Sequence, residues 1–376
     1  MYPPTVNVAN LLSKRVNEVV LIGRHLRKPS FSYSPNIQII KIHPNITDTD
    51  LVNISRWKKI LYFKEYIQLL KSEIKKRKPS IVICHDMLAA FAYWIGEKSL
   101  KQKEKPLFWY HNHDVIHDNT MPAFSVLWFG KKFEKFFFNI ADIFSLPVEE
   151  RKQYFPLKTF KGRVFIIPNY PTMQSFDQIE KKSGSPARHK IIRLIYQGSL
   201  GRNHGFSELI RVLKKKINGY PIELTLIGQI NSGYKEQLIS EARQHGVSGQ
   251  LHILDPVSYR DLTEITRSNH IGLAIHVPNN RAIHIYGATS SNKIYEYMAQ
   301  GLPVILYDTP HYRKYLNQFS WTKFVDLSEE SLIEAIEDCI VDYEIKSQQA
   351  MKDFQESLNY EKVFFDVWDE VSEGIK

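Results

Sequence analysis

The chain has 376 residues, 43% hydrophobic and 24% charged, enough for two α/β domains with separate cores and inconsistent with a disordered protein. Its formal net charge is +10 at pH 7, which favours an anionic partner. The sequence carries no zinc finger, RNA-recognition signature or other nucleic-acid module, so nucleic acid is set aside, leaving phosphorylated small molecules and an anionic membrane surface.

Two cysteines, Cys84 and Cys339, sit in apolar settings and argue against a disulfide framework. No apolar run reaches membrane-spanning length, and the opening MYPPTVNVAN lacks a signal peptide's charged start and apolar core. A cytoplasmic location is expected, peripheral at the inner face of the cell membrane if the positive charge is used there.

Short apolar runs alternate with helical stretches throughout, the pattern of parallel α/β sheets. In the first half, strands are predicted at 18–23, 37–42, 80–84, 106–110, 142–146 and 163–167, with helices over 51–76, 121–138 and 148–154. The stretch 170–190 is rich in Ser, Pro, Gly and charge and reads as a linker. Alternation then resumes, with strands at 191–196, 222–227, 250–254, 270–275 and 304–306 and helices at 205–217, 233–245, 259–267 and 292–300. Residues 328–376 read as helical. The expected domains are 1–172, a linker 173–190, a second domain 191–345 and a helical tail 346–376. Two doubly wound domains facing a cleft follow, with ligands beyond the carboxyl ends of the strands. The opening does not fit a complete domain. Tyr2-Pro3-Pro4 leads straight into a helical stretch, 6–12, before any strand, so a short apolar strand and a Gly/Ser loop are expected upstream of Met1.

Several segments offer chemistry. Asp48-Thr49-Asp50 is short and precedes a helix, where capping explains it. Residues 56–78 form a basic helix whose lysines read mainly as a solvated face. After the strand ending at Tyr110 comes HNHDVIHD, whose His111, His113 and His117 resemble metal ligands. No second ligand cluster stands out, so a metal-dependent hydrolase is the minor reading. The helix 121–138 interleaves aromatics with Lys131, Lys132 and Lys135, which suits either a core-packing helix or one lying in a membrane interface. A later strand ends in YQGSLGRNHGF, where Gly198, Gly201 and Gly205 let backbone approach a ligand ahead of a helix start.

The segment 290–305, SSNKIYEYMAQGLPVI, says most. Ser290, Ser291 and Asn292 signal a helix start, and Gly301 closes the helix. A helix N-terminus with hydroxyls and a nearby lysine, Lys293, is a seat for phosphate. One turn on, Glu296 can accept hydrogen bonds from a diol such as ribose. Together they suit a nucleotide-sugar.

This segment resembles the donor-binding motif of retaining GT-B glycosyltransferases (glycosyl transferases group 1, family 4-like). There a lysine, a Glu-Tyr/Ala-Met-Ala run and Gly-x-Pro-Val-Ile recur in this order. The resemblance implies a GT-B fold of two Rossmann-like domains, with a C-terminal helix crossing back to the first. It also implies a retaining sugar transfer from a nucleoside diphosphate to a glycan or lipid-linked acceptor, as in bacterial surface polysaccharide or glycolipid assembly, with no metal or other cofactor. Donor contacts would come from Gly198, Ser199, Gly201, Arg202, His204, Ser290, Ser291, Asn292, Lys293 and Glu296. His113 and Asp114 would join Lys293 in catalysis, and His85-Asp86 would line the same cleft. The family usually has basic residues where this chain has Ser199 and His204, which leaves Arg202 as the substitute. Of the family's two glutamates seven residues apart, Glu296 is the second, and Ala288 stands at the first. A non-catalytic partner subunit of the same fold is the remaining alternative.

Overall fold

The computed structural model describes residues 3–23, 33–43, 53–101, 105–116, 121–176, 184–278 and 291–375. The chain divides into two compact units, one of residues 1–168 with 363–376 and one of residues 169–362. The division therefore falls just ahead of the expected linker, and residues 346–362 stay with the second unit.

The first unit opens with helix α1 (Pro3–Leu12), strands β1 (Val19–Gly23) and β2 (Ile37–Lys41), and the basic helix α2 (Arg56–Arg77). Strand β3 (Ile81–His85), helix α3 (Asp86–Glu97), strand β4 (Leu107–His111), helix α4 (Val126–Asn139) and strands β5 (Ile143–Leu146) and β6 (Arg163–Ile166) follow. Strands β1 and β2 pair in parallel as one sheet, and β3-β4-β5-β6 form a second parallel sheet. Every residue of β5 is buried, as expected of a parallel strand covered on both faces. Around it Phe137, Phe138, Phe144 and Phe155 make an aromatic core.

Helix α4 splits its aromatics between two faces. Phe137 and Phe138 enter the core, whereas Phe129, Phe133, Phe136 and Ile140 lie exposed at helical spacing. The core-packing reading of this segment therefore holds for one side of the helix, and the other side presents aromatics to solvent.

The second unit holds β7 (Ile192–Gln197), α6 (Phe206–Val212), β8 (Lys216–Ile217), β9 (Tyr220–Ile227), α7 (Ser232–Gln244), β10 (Leu251–Leu254), α8 (Tyr259–Arg267) and β11 (Ile271–Ala274), after a short helix α5 (Pro186–His189). Next come α9 (Asn292–Ala299), β12 (Val304–Tyr307), α10 (Pro310–Leu316), β13 (Thr322–Val325), α11 (Glu329–Ile340) and α12 (Tyr343–Glu356). The sheet order is β10-β9-β7-β11-β12-β13, all parallel, with β8 added antiparallel to β9. The first strand in sequence thus lies inside the sheet, the doubly wound arrangement.

The helix expected over 205–217 ends at Val212. Lys216-Ile217 instead turns back on Tyr220-Pro221 through Asn218 and Gly219, both at positive φ. An Asn-Gly pair favours this tight hairpin turn, and local turn chemistry outweighed the helical pattern. Strand β13 and helix α10 lie where no element was predicted. Helix α13 (Tyr360–Ser372) ends the fold. From Val363 onwards it groups with the first unit, where Phe364 stacks on Trp109 at 6.1 Å and the Glu370 carbonyl accepts from Arg163 at 2.8 Å.

Candidate functional site

In the second unit, β7 ends at Gln197 and the chain turns at Gly198, whose φ is +124°. A side chain there would be strained, and its first carbon would stand 3.4 Å from Lys293 Nζ. The turn also meets Gly228, where a Cβ would fall 1.7 Å from the Gly198 carbonyl oxygen. Two glycines are therefore needed for the loops to meet.

Lys293 lies in the first turn of α9. Its ammonium donates to Tyr196 Oη at 2.6 Å and stands 4.0 Å from that ring's centroid. Burial lowers its pKa to about 8, opposed by the charge of Glu296. At pH 7 the ammonium remains charged. Ser291 precedes the helix with extended backbone, but its hydroxyl makes no capping bond. The first N–H groups of α9 therefore have no side-chain cap from that residue. Asn292 Oδ1 is buried without a hydrogen-bond partner among the described residues.

Glu296 is half-buried one turn on. Gln197 Nε2 donates to its Oε2, and Tyr259 Oη donates to Oε1 at 3.4 Å. Burial raises its pKa to about 7, against the lowering pull of the Tyr259 bond, Lys293 and Gln197. Gln197 is itself fixed: its Oε1 accepts from Thr266 at 2.9 Å, and its backbone N–H donates to Tyr297 Oη at 2.9 Å. The structure thus brings together Gly198, Lys293 and Glu296, and adds Gln197 and Tyr259, which the sequence reading did not name. The polar residue ending an apolar strand, Gln197, was the available signal.

Other expected donor residues stand differently. Gly198, Ser199 and Arg202 are exposed and Gly201 is half-buried. The Arg202 guanidinium lies 4.7 Å from the Tyr234 ring centroid and donates to Gln237 Oε1. To reach a phosphate it must leave that seat. His204 is buried, with Nδ1 3.0 Å from the Ile275 carbonyl oxygen and its ring against Tyr196 and Phe206. Ser290 and Ala288 lie outside the described residues, as do Asp48-Thr49-Asp50 and His117.

In the first unit, the carboxyl ends of β3 and β4 gather His85, His111 and His113. His85 Nδ1 and His113 Nε2 are 3.2 Å apart with parallel rings. His111 Nδ1 bonds with Ser145 Oγ, which also accepts from Trp109 Nε1 at 2.6 Å. Their candidate ligand atoms all lie within 4.8 Å of one another. Burial lowers the His85 pKa to about 4 and holds His111 well below its usual value, so both imidazoles are neutral at pH 7. These three could hold a soft divalent ion such as zinc. The ligand set then takes His85 from another strand beside the predicted His111 and His113.

Asp86, at φ +65°, accepts from the backbone N–H groups of His113 at 2.7 Å and Asp114 at 3.3 Å. Burial raises its pKa to about 6. His113 is 0% exposed, whereas the Asp114 side chain is 68% exposed.

Residues 175–356 match the family described as Glycosyl transferases group 1. No curated protein sequence matches the chain. Similar solved structures include a sucrose-phosphate synthase from Thermosynechococcus elongatus, at 13% identity and a TM-score of 0.65, covering 98% of this chain and 91% of that one. Anabaena HepE in complex with UDP and glucose aligns at 11% identity and 0.62, covering 95% and 100%. WaaG, a glycosyltransferase involved in lipopolysaccharide biosynthesis, aligns at 12% identity and 0.59, covering 95% and 91%. At such identities the likeness is one of fold. The chain has the GT-B fold of glycosyltransferases, and residues 175–356, which include Gly198, Lys293 and Glu296, match the glycosyl transferases group 1 family.

Proposed function

We propose that the chain is a glycosyltransferase that moves a sugar from a nucleoside diphosphate to an acceptor hydroxyl, with retention of configuration. The observation that carries this is the Lys293 ammonium, set beside the Gly198 turn at the start of α9, with the Glu296 carboxylate one turn on. As the glycosidic bond breaks, negative charge grows on the departing diphosphate. A fixed cation and helix-start N–H groups stabilise that charge more in the transition state than in the bound donor. Ser291, Asn292, Ser199 and Gly201 border the same turns. Glu296 takes the ribose diol. On the first unit, His113 and Asp114 are the candidate groups for the sugar and acceptor. The complex of HepE with UDP and glucose supports a uridine nucleotide as the first donor to try. This reading uses no metal.

The test is a thermal-shift panel of nucleotide-sugars. A ligand at 100 times its dissociation constant stabilises by about 2.7 kcal/mol. One nucleotide-sugar is expected to raise the melting temperature, with the shift intact in EDTA. A flat panel overturns the reading, and a shift that EDTA abolishes overturns the metal-free part of it.

The acceptor is proposed to be a membrane-proximal glycan or lipid-linked saccharide in bacterial surface polysaccharide or glycolipid assembly. Support comes from the outer face of α4. Phe129, Phe133, Phe136 and Ile140 are exposed beside Lys132 and Lys135, and Phe124 and Trp57 are 61% and 81% exposed. An aromatic stripe flanked by lysines suits a membrane interface, where each basic residue contributes about 1 kcal/mol near an anionic leaflet. Among the described residues no helix is long and apolar enough to cross a membrane. Co-sedimentation with anionic vesicles is expected and should weaken with salt. Protein left in the supernatant at low salt would make a soluble acceptor the working assumption.

A further inference from the structure

Three imidazoles converge where β3 and β4 end, and hydrogen bonding accounts for them only in part. The two strands pair in register with His85 opposite His111, and His113 follows two residues past the end of β4. One ring nitrogen from each histidine lies within 4.8 Å of one from each of the others. His85 Nδ1 and His113 Nε2 are 3.2 Å apart. His111 is 2% exposed, and its Nε2 is buried without a hydrogen-bond partner among the described residues.

A buried ring nitrogen without a partner costs free energy. A hydrogen bond between His85 and His113 serves that pair and leaves His111 Nε2 as it is, whereas a cation among the three uses a lone pair from each. The spacing agrees. With zinc–nitrogen bonds of about 2.0–2.1 Å, nitrogens in a tetrahedral site stand about 3.3–3.4 Å apart, close to the 3.2 Å of the His85–His113 pair. A pair 4.8 Å apart needs to close by about 1.5 Å. The surroundings also suit metal ligands. His111 Nδ1 bonds with Ser145 Oγ, which accepts from Trp109 Nε1 at 2.6 Å. With Nδ1–H donated to that hydroxyl, the Nε2 lone pair is left for an ion, and such a partner on the other nitrogen is the rule for metal-bound histidine. The Asp86 carboxylate accepts from the His113 backbone N–H at 2.7 Å, which fixes the turn that carries this ligand. The Arg151 guanidinium, bonded to the His113 carbonyl oxygen, is faced by the Asp114 carboxylate at 4.0 Å.

We propose that His85, His111 and His113 form a binding site for one divalent ion of the zinc type, with a fourth position left for water. Imidazole nitrogens suit zinc, and three of them with one open position make a complete protein ligand set. His85 is half-buried and lines a cavity, which gives an ion access. All three ligands belong to the first unit, whereas Gly198, Lys293 and Glu296 belong to the second, so zinc binding and donor binding are tested separately. An ion bound here occupies the His113 ring, so sugar contact by that ring belongs to the metal-free form.

For the test, the full chain is stripped with a chelator, dialysed against metal-free buffer and titrated with zinc alone. One zinc ion per chain is expected to remain after dialysis, with a rise in melting temperature that chelator reverses. Cobalt(II) in its place should give the strong visible bands of a four-coordinate ion. His85→Gln and His111→Gln should each weaken zinc by more than about 100-fold, and Ser145→Ala by about 10–100-fold, the cost of losing a partner that orients a ligand. His252→Gln, exposed on β10, should bind as the unsubstituted chain does. Each variant's melting transition is recorded without metal, and the half-buried His85 carries the test if the His111 variant does not fold. No zinc retained by the unsubstituted chain, or equal retention by folded His85→Gln, overturns the proposal. Weak six-coordinate cobalt bands overturn the three-histidine tetrahedral geometry.

Discussion

Lys293→Ala is expected to lower turnover by about 10²–10³-fold while leaving the fold intact, the range found for removing one preorganised charge-stabilising donor. The ammonium is held against Tyr196 Oη at 2.6 Å, and burial brings its pKa down to about 8. Holding it charged there opposes folding, and the sign of that effect can be stated. Between about pH 8 and the ordinary lysine value the unfolded chain binds the proton more tightly, so this group's contribution to stability increases as pH rises through that window. Alanine removes the penalty, and the melting temperature should not fall for electrostatic reasons. Function should respond in the opposite way. In the proposed function the charge acts on a diphosphate whose negative charge increases as the bond breaks, so kcat should drop more than affinity for the nucleoside monophosphate. Equal losses of turnover and nucleoside monophosphate binding would assign Lys293 to packing.

Glu296→Gln is expected to weaken donor binding by about 1–3 kcal/mol, the cost of losing a charged hydrogen-bond acceptor. Burial raises the Glu296 pKa to about 7, so near neutrality the free protein holds it partly protonated. The ionised form is the better acceptor for a diol, so donor affinity of the unsubstituted protein should fall as pH drops below about 7. The glutamine variant should lack that slope. Stability moves the other way: the folded protein keeps this proton up to about pH 7 and the unfolded chain loses it near the ordinary glutamate value. The group's stabilising contribution is therefore present at low pH and lost as pH rises through that interval. Isothermal titration of donor across pH 5.5–8.5 separates the two effects. A variant with unchanged affinity and the same pH slope would remove Glu296 from the site.

The vesicle experiment reads the first unit, which carries the surface helix α4. Loss of vesicle binding leaves the nucleotide-sugar reading standing, because Gly198, Lys293 and Glu296 belong to the second unit.

Local sequence determined most of the elements, because apolar periodicity and turn chemistry act within a few residues. The strands at Val19–Gly23, Ile81–His85 and Ile192–Gln197 lie within a residue or two of expectation. Lys293 and Glu296 were legible because a helix start, a lysine and a carboxylate one turn on are all encoded within one short segment. What surrounds Glu296 was not legible. Gln197 is 99 residues away and Tyr259 is 37 away, and only the parallel sheet with its crossover helices brings them to one carboxylate. The histidine cluster shows the same limit. Adjacent residues in HNHDVIHD suggested the group His111, His113 and His117, but His85 reaches the cluster because β3 and β4 pair in register, His85 opposite His111. Periodicity told that α4 is amphipathic, yet which aromatics enter the core depended on where α3 and β5 left room. Spacing along the chain encodes local geometry, whereas the environment that shifts a pKa or fixes a side chain is assembled by strand pairing between distant segments.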